Sequence, residues 1–186
     1  MKTIEYRAAG LLVMLSALMI AALAGDKKFD LGVMLGGGYT AVNFEEASGY
    51  SDDYLNDWGQ VHFKAVAYCL IPLLSRFKAG VEIGYNDLYW WYYRVPYGPS
   101  PVYREVYWST LSFLGIVRKE LPGLLYLQAG AGLHSFFDDG TALALSAALG
   151  IKPRISRFGI PICLRVDPIF GAGMPITIAL CGGLEM

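Results

Sequence analysis

Apolar and polar residues alternate along much of the chain, most clearly between residues 76 and 94. One face of this stretch is apolar and the other is polar or glycine: Phe77, Ala79, Val81, Ile83 and Tyr85 against Lys78, Gly80, Glu82, Gly84 and Asn86. A period of two indicates a β-strand whose two faces contact different environments. The large aromatic residues come together at the end of the stretch, from 89 to 93. Membrane-spanning strands carry such residues where they reach the interface.

Similar segments recur along the rest of the chain. With 76–94 they make eight predicted strands: 29–43, 58–70, 104–117, 124–136, 142–151, 158–167 and 175–186. Long loops are predicted at 44–57, 95–103, 137–141 and 168–174, and short turns at 71–75, 118–123 and 152–157. A tilted strand of about 9–11 residues crosses a bilayer. The sequence therefore predicts an all-β fold, an eight-stranded antiparallel up-and-down transmembrane β-barrel, although the pattern does not assign the facing of 104–117.

Polar residues on the inward faces are expected to meet in a narrow lumen. A hairpin centred near Leu73 places Lys64 opposite Glu82, His62 opposite Gly84 and Gln60 opposite Asn86, so that the polar faces match. The predicted lumen network is Lys64, Glu82, Arg165, Glu185 and His62. An eight-stranded barrel leaves room only for side chains, so these charges are expected to pair. A gated ion path lined by the same residues is the alternative.

Aromatic and basic residues predict the orientation of the barrel. The tryptophans Trp58, Trp90, Trp91 and Trp108 lie at the ends of the first two loops and are predicted to form an interfacial girdle. The turns carry basic residues instead: Arg76, Arg118, Lys119, Lys152, Arg154 and Arg157. Long loops are expected to face the cell exterior and short turns the periplasm. Tyr97 and Tyr103, among the prolines of the 95–103 loop, are the candidates for contact with an external ligand.

Composition and the first residues place the chain in the cell envelope. The chain has 186 residues, 55% of them apolar and 17% charged, and a net charge of −1, which gives a nucleic-acid partner no electrostatic support. Residues 1–24 resemble a cleaved secretory signal peptide, with a helical apolar core and an Ala22-Leu23-Ala24 cleavage site. Residues 25–186 would then form the barrel domain. An uncleaved membrane anchor is the alternative for the first segment.

Few residues suggest chemistry. Cys163 and Cys181 are placed to face each other on neighbouring strands, either as a disulfide or as buried free thiols, and Cys69 stands apart. None of the three has metal-ligand spacing with a histidine. His134 and Ser135 are adjacent and therefore point to opposite faces of a strand. No catalytic residue, metal or cofactor is predicted.

The segments AGAGL at 129–133 and ALGIKPRI at 148–155, together with the eight alternating segments, resemble the small outer-membrane β-barrels of the OmpA transmembrane-domain and OmpX type. The resemblance implies a non-enzymatic monomer in the outer membrane of a Gram-negative bacterium. Its role would be structural, adhesive or in envelope integrity. Its implied partners are outer-membrane lipid and lipopolysaccharide, the barrel assembly machinery, and a host or surface ligand.

Three other interpretations compete with this one. A lipid A-modifying barrel enzyme would use His134 and Ser135, although deacylases of that kind separate the two residues by one position. A periplasmic ligand-binding β-barrel requires the Leu and Ile faces to point inward. A helical inner-membrane protein is suggested by uncharged runs such as 121–137.

Overall fold

Antiparallel β-structure forms throughout the part of the chain that the computed structural model describes, residues 29–41, 60–94, 102–136, 140–170 and 176–186. The strands are β1 (Asp30–Ala41), β2 (Gln60–Leu74), β3 (Phe77–Arg94), β4 (Val102–Glu120), β5 (Leu125–Phe136), β6 (Gly140–Ile151), β7 (Arg154–Ile155), β8 (Phe158–Gly159), β9 (Ile162–Phe170) and β10 (Ile176–Glu185). Within these residues no helix has the length and apolar character needed to cross a membrane.

Eight of the strands close into a barrel, because β1 pairs with both β2 and β10. Successive inward positions can be followed round the wall from one hydrogen-bonded neighbour to the next: Ile169, Ala144, Gly132, Leu114, Glu82, Tyr68, Gly32, Glu185 and Gly159. The path returns to the β8–β9 segment ten residues before its start, at Gly159 instead of Ile169. This stagger gives the strands the tilt that a closed barrel requires. The prediction of an eight-stranded antiparallel barrel is confirmed.

The two faces of the wall differ as the alternation predicts. Each barrel strand presents a large apolar residue on the outer surface: Leu35, Phe63, Val81, Phe113, Leu133, Leu149, Leu164 and Leu180. Polar residues, small residues and a few larger apolar ones such as Met34 and Ile116 point inward, and along β6 exposed and buried positions alternate from Thr141 to Ile151. The apolar faces are therefore outside the barrel. The hypothesis of a ligand-binding barrel with an apolar interior is wrong for this reason.

The register of the β2–β3 hairpin differs from the prediction. Lys64 pairs with Asn86, and Tyr68 pairs with Glu82, because the turn lies at residues 75–76 and not near Leu73. Pro72 lies in the predicted turn 71–75, but in the structure it belongs to β2, where an irregularity between Pro72 and Leu74 accommodates it. The register moves by an even number of residues, so each side chain keeps its predicted face.

Several strands extend into predicted turns and loops. β4 continues to Glu120, so Arg118 belongs to a strand, and β9 continues to Phe170. β4 begins at Val102, which places Tyr103 in a strand paired with Tyr93 and not in a loop. β6 begins at Gly140, inside the predicted loop 137–141. The predicted strand 158–167 is divided into β8 and β9, and β7 and β8 form a small hairpin at the turn end of the barrel.

The fourth strand, whose facing the sequence leaves open, directs Thr110, Ser112, Leu114, Ile116 and Arg118 into the lumen. The predicted signal segment 1–24, the predicted loop 44–57 and Tyr97 lie outside the described residues.

Candidate functional site

Four charged side chains meet in the middle of the lumen, and we call them the central charge cluster: Lys64, Glu82, Arg165 and Asp167. Lys64 Nζ lies 2.5 Å from Asp167 Oδ2. Arg165 Nη2 and Nη1 donate to the two Glu82 carboxylate oxygens at 2.5 and 2.8 Å, and Arg165 Nε donates to Asp167 Oδ1 at 2.8 Å. Two cations and two carboxylates thus compensate each other, with side-chain exposures of 1% or less.

The geometry of this cluster explains how charges remain ionised in a closed interior. The fork of Arg165 binds the Glu82 carboxylate with two parallel hydrogen bonds, the strongest arrangement for this pair of groups. Removal of charge from water costs several kcal/mol per ion, so each partner depends on the others. The cluster fills the lumen and joins β2, β3 and β9.

A second group of side chains fills the lumen towards the turns, and we call it the turn-end cluster: Tyr68, Arg118, Tyr126, Gln128, Lys152 and Glu185. The Arg118 guanidinium lies between two rings, 4.7 Å from the Tyr68 centroid and 4.5 Å from the Tyr126 centroid. Arg118 donates to Glu185, and Tyr68 Oη donates to the same carboxylate at 2.7 Å.

Gln128 connects the two clusters. Its Oε1 accepts hydrogen bonds from Arg118 Nε and Nη2 at 3.0 and 2.8 Å. Its Nε2 donates to Glu82 Oε2 at 3.1 Å. The polar interior is therefore continuous from the centre of the barrel to the turn end.

Gly32 provides the space that Tyr68 occupies in the turn-end cluster. A Cβ atom at this position would lie 2.2 Å from Tyr68 Cζ and 2.3 Å from its hydroxyl oxygen. Because the ring is fixed by Arg118 and Glu185, it has little freedom to move away. The absence of a side chain on β1 is thus part of the cluster's packing.

Further ion pairs close the lumen at the turns. Lys152 Nζ contacts Glu185 at 2.6 Å and Glu120 at 2.8 Å. Lys78 Nζ contacts Glu120 at 2.6 Å and also pairs with Asp30. Glu120 and Glu185 are each shared by two cations, and Lys78 joins Glu120 to Asp30.

The loop end of the lumen holds two buried histidines with hydroxyl partners. His62 Nδ1 lies 3.1 Å from Thr40 Oγ1, and His134 Nδ1 lies 3.3 Å from Thr110 Oγ1. The Nε2 atoms of both rings have no hydrogen-bond partner within the described part of the chain. Over the same ranges, no group of three or more His, Cys, Asp and Glu side chains is arranged to hold a metal ion.

The structure does not assemble a hydrolase site from His134 and Ser135. His134 is buried and faces the lumen, whereas Ser135 is only half-buried on the opposite face of β5. Side chains on opposite faces of one strand cannot form a nucleophile–base pair. The pair therefore offers no direct support for the lipid-modifying enzyme.

Cys163 and Cys181 are directly opposite each other on β9 and β10, and both are buried free thiols. Cys69 is a half-buried free thiol on β2. Cys163 and Cys181 thus face each other on neighbouring strands as predicted, and they are free thiols and not a disulfide.

All five predicted lumen residues lie inside the barrel, but their contacts differ from the expected ones. Lys64 pairs with Asp167 and not with Glu82, Glu185 belongs to the turn-end cluster, and His62 contacts Thr40. The prediction missed Arg118 and Lys152, which it assigned to turns, and also Tyr68 and Tyr126. Arg118 follows Leu114 and Ile116 at a spacing of two residues, so the alternation along β4 places all three side chains on the same inward face.

The predicted girdle and loop contacts stay predictions. Trp90 and Trp91 lie near the loop end of β3 and Trp108 near that of β4, with Leu88 paired to Trp108. Trp58 and Tyr97 are outside the described residues.

No family model and no curated protein matches the chain. Among solved structures, Neisserial surface protein A is similar over 85% of this chain and 96% of its own, with a TM-score of 0.57 and 10% identity. A de novo designed transmembrane β-barrel (TM-score 0.48, 13% identity) covers 87% of this chain and 98% of its own. The attachment invasion locus protein Ail of Yersinia pestis, in complex with the heparin analogue sucrose octasulfate (TM-score 0.47, 16% identity), covers 86% and 99%. At such low identity the similarity to the Neisserial protein shows the fold alone, and this fold is the small eight-stranded barrel that the sequence resemblance implies.

Proposed function

We propose that this chain is a non-enzymatic outer-membrane β-barrel that anchors its loops at the cell surface. The observation that carries the proposal is the combination of a continuous apolar outer face with an interior of buried, ion-paired charges. A soluble protein rarely exposes so large an apolar surface, whereas a barrel wall in a bilayer requires it. The closed ladder of the described strands leaves none of them with an unpaired edge in the hydrocarbon region.

The packed lumen favours an anchor over a channel. The central charge cluster and the turn-end cluster occupy successive levels of the interior, and their charged groups are buried and paired. This arrangement is consistent with a structural or adhesive role. The four loops at one end would be the contact surface, and lipopolysaccharide or a host ligand would be the partner.

A lipid-facing arginine tests the membrane assignment. Leu164 lies on the outer face of β9, next to Arg165 of the central charge cluster, and is 54% exposed, and Leu124 at the turn end is 55% exposed. In a bilayer, Leu164→Arg is expected to lower the free energy of unfolding by about 2–4 kcal/mol, and Leu124→Arg by about 1 kcal/mol or less. The measurement is urea unfolding in lipid vesicles, followed by heat-modifiable migration on a gel.

For a soluble barrel both substitutions would change stability by less than about 0.5 kcal/mol, because both side chains are equally exposed to solvent. Equal, small effects would therefore contradict the proposal, as would recovery of the protein in the periplasmic fraction instead of the outer membrane.

A further inference from the structure

Four exposed cations surround the turn end of the barrel, and we call them the basic collar: Arg76, Lys119, Arg154 and Arg157. Arg76 lies in the β2–β3 turn and Lys119 at the end of β4. Arg154 begins β7, and Arg157 lies in the turn between β7 and β8. The sequence grouped these residues with Arg118 and Lys152, but those two point inward and are buried.

The acidic side chains at this end are already neutralised from inside. Asp30, Glu120 and Glu185 pair with the inward cations Lys78, Lys152 and Arg118. Among the acidic residues whose side chains the structure describes, none forms an ion pair with a residue of the basic collar. The turn end therefore presents four positive side-chain charges outward without an internal counter-charge.

Apolar side chains accompany these cations on the outer surface. Lys119 Nζ lies 5.2 Å from the centroid of the Phe77 ring, and Arg157 Cζ lies 5.0 Å from that of Phe158. Leu74 and Ile155 close by are among the most exposed apolar residues, at 71% and 64%. Cations beside aromatic rings and exposed aliphatic groups suit the boundary between acyl chains and headgroups, where the stem is buried and the charge reaches outward.

We propose that the basic collar binds the anionic headgroups of the phospholipid leaflet in which the turn end is embedded. The inference rests on the proposed membrane function, and it adds the lipid class that the turn end selects. Guanidinium groups bind phosphate oxygens with two parallel hydrogen bonds, and three of the four residues are arginines. Each cation near an anionic surface is expected to favour the inserted state by on the order of fivefold.

The test compares two vesicle compositions, phosphatidylcholine alone and phosphatidylcholine with about one-third phosphatidylglycerol. The full chain is refolded into each, and the folding equilibrium constant is measured by urea titration. We expect the anionic vesicles to raise this constant at least about tenfold for the wild-type chain, and 0.5 M NaCl to reduce the gain.

The variant R76Q/K119Q/R154Q/R157Q is expected to lose the anionic preference while it still folds in phosphatidylcholine. The matched control R76K/R154K/R157K keeps the charges and is expected to retain most of the preference. If the fourfold variant does not fold, the paired variants R76Q/R157Q and K119Q/R154Q replace it, each with about half of the loss.

Two results would overturn the inference. One is an anionic preference that is unchanged in the glutamine variants. The other is a wild-type chain that is equally stable in both vesicles. Failure of the wild-type chain to insert into either lipid would instead contradict the proposed membrane function, so the two failures are distinguishable.

Discussion

Arg165 shows how a single residue organises the interior. Its guanidinium binds Glu82 on β3 and Asp167 on its own strand, and Asp167 in turn holds Lys64 on β2. Each carboxylate would be a buried uncompensated charge without its cations. The stability of the barrel centre thus depends on a balance of charges and not on one contact.

Arg165→Met is expected to lower the free energy of unfolding by about 3–5 kcal/mol, because Glu82 loses its cation while it stays buried. The matched control is Arg76→Met, the same change at an exposed residue, with an expected effect of less than about 0.5 kcal/mol in neutral detergent micelles. Urea unfolding in these micelles gives both values. The double variant R165M/E82Q should be more stable than the sum of the single effects predicts, since the pair is removed together. Additive losses, or equal losses in the two methionine variants, would show that the cluster contributes little.

At the scale of elements, the β2–β3 hairpin differs from the sequence prediction in the position of its turn and in its register. The sequence predicts a turn at 71–75, which contains Pro72, whereas the structure continues the strand to Leu74 before it turns. Ala67 consequently lies opposite Ile83. With a turn centred near Leu73 it would lie opposite Ala79. Cross-linking can decide between these registers.

In a variant without the native cysteines, Ala67→Cys with Ile83→Cys is expected to form a disulfide on mild oxidation of the folded barrel. Directly opposite residues have Cα atoms about 4.5–5.5 Å apart, within the range that a disulfide spans. The control pair Ala67→Cys with Ala79→Cys is four residues out of register, about 13 Å along the strand, and should stay reduced. Mass spectrometry of the intact chain and thiol labelling measure both. Oxidation of the control pair alone would support the register expected from the sequence.

The sequence prediction and the structure agree on the properties that the alternation of apolar and polar residues determines. A period of two determines which face each residue occupies, so the outward position of Leu164 and the inward position of Glu82 could be predicted. Alternation does not determine register, since an even shift leaves every face unchanged. The partner of Lys64 depends on register, on the closure of the barrel and on the position of β9, which brings Asp167 to it from 103 residues away. The inward position of Arg118 was not predicted for a simpler reason. The sequence predicts that the fourth strand ends at residue 117 and that Arg118 lies in the following turn, whereas β4 continues to Glu120.

At the scale of the whole molecule, the interior is closed at more than one level. The central charge cluster lies further from the turns than the turn-end cluster does. Gln128 joins the two clusters by hydrogen bonds to Glu82 and Arg118. An ion that crosses the barrel would have to displace paired charges at both levels. The gated ion path considered from the sequence would require both clusters to open together.

We therefore expect the wild-type barrel to pass no steady current in a planar lipid bilayer. The neutral variant E82A/R165A should also be silent, because Arg118 still lies between Tyr68 and Tyr126 at the next level. The variant R118A/E185A should be silent for the corresponding reason, since the central charge cluster remains. Only their combination is expected to give discrete conductance steps, provided that heat-modifiable migration confirms the folded barrel. A steady conductance in the wild-type chain would show that the lumen is an ion path despite both clusters. A steady conductance in one double variant alone would show that the cluster altered in that variant is the only barrier.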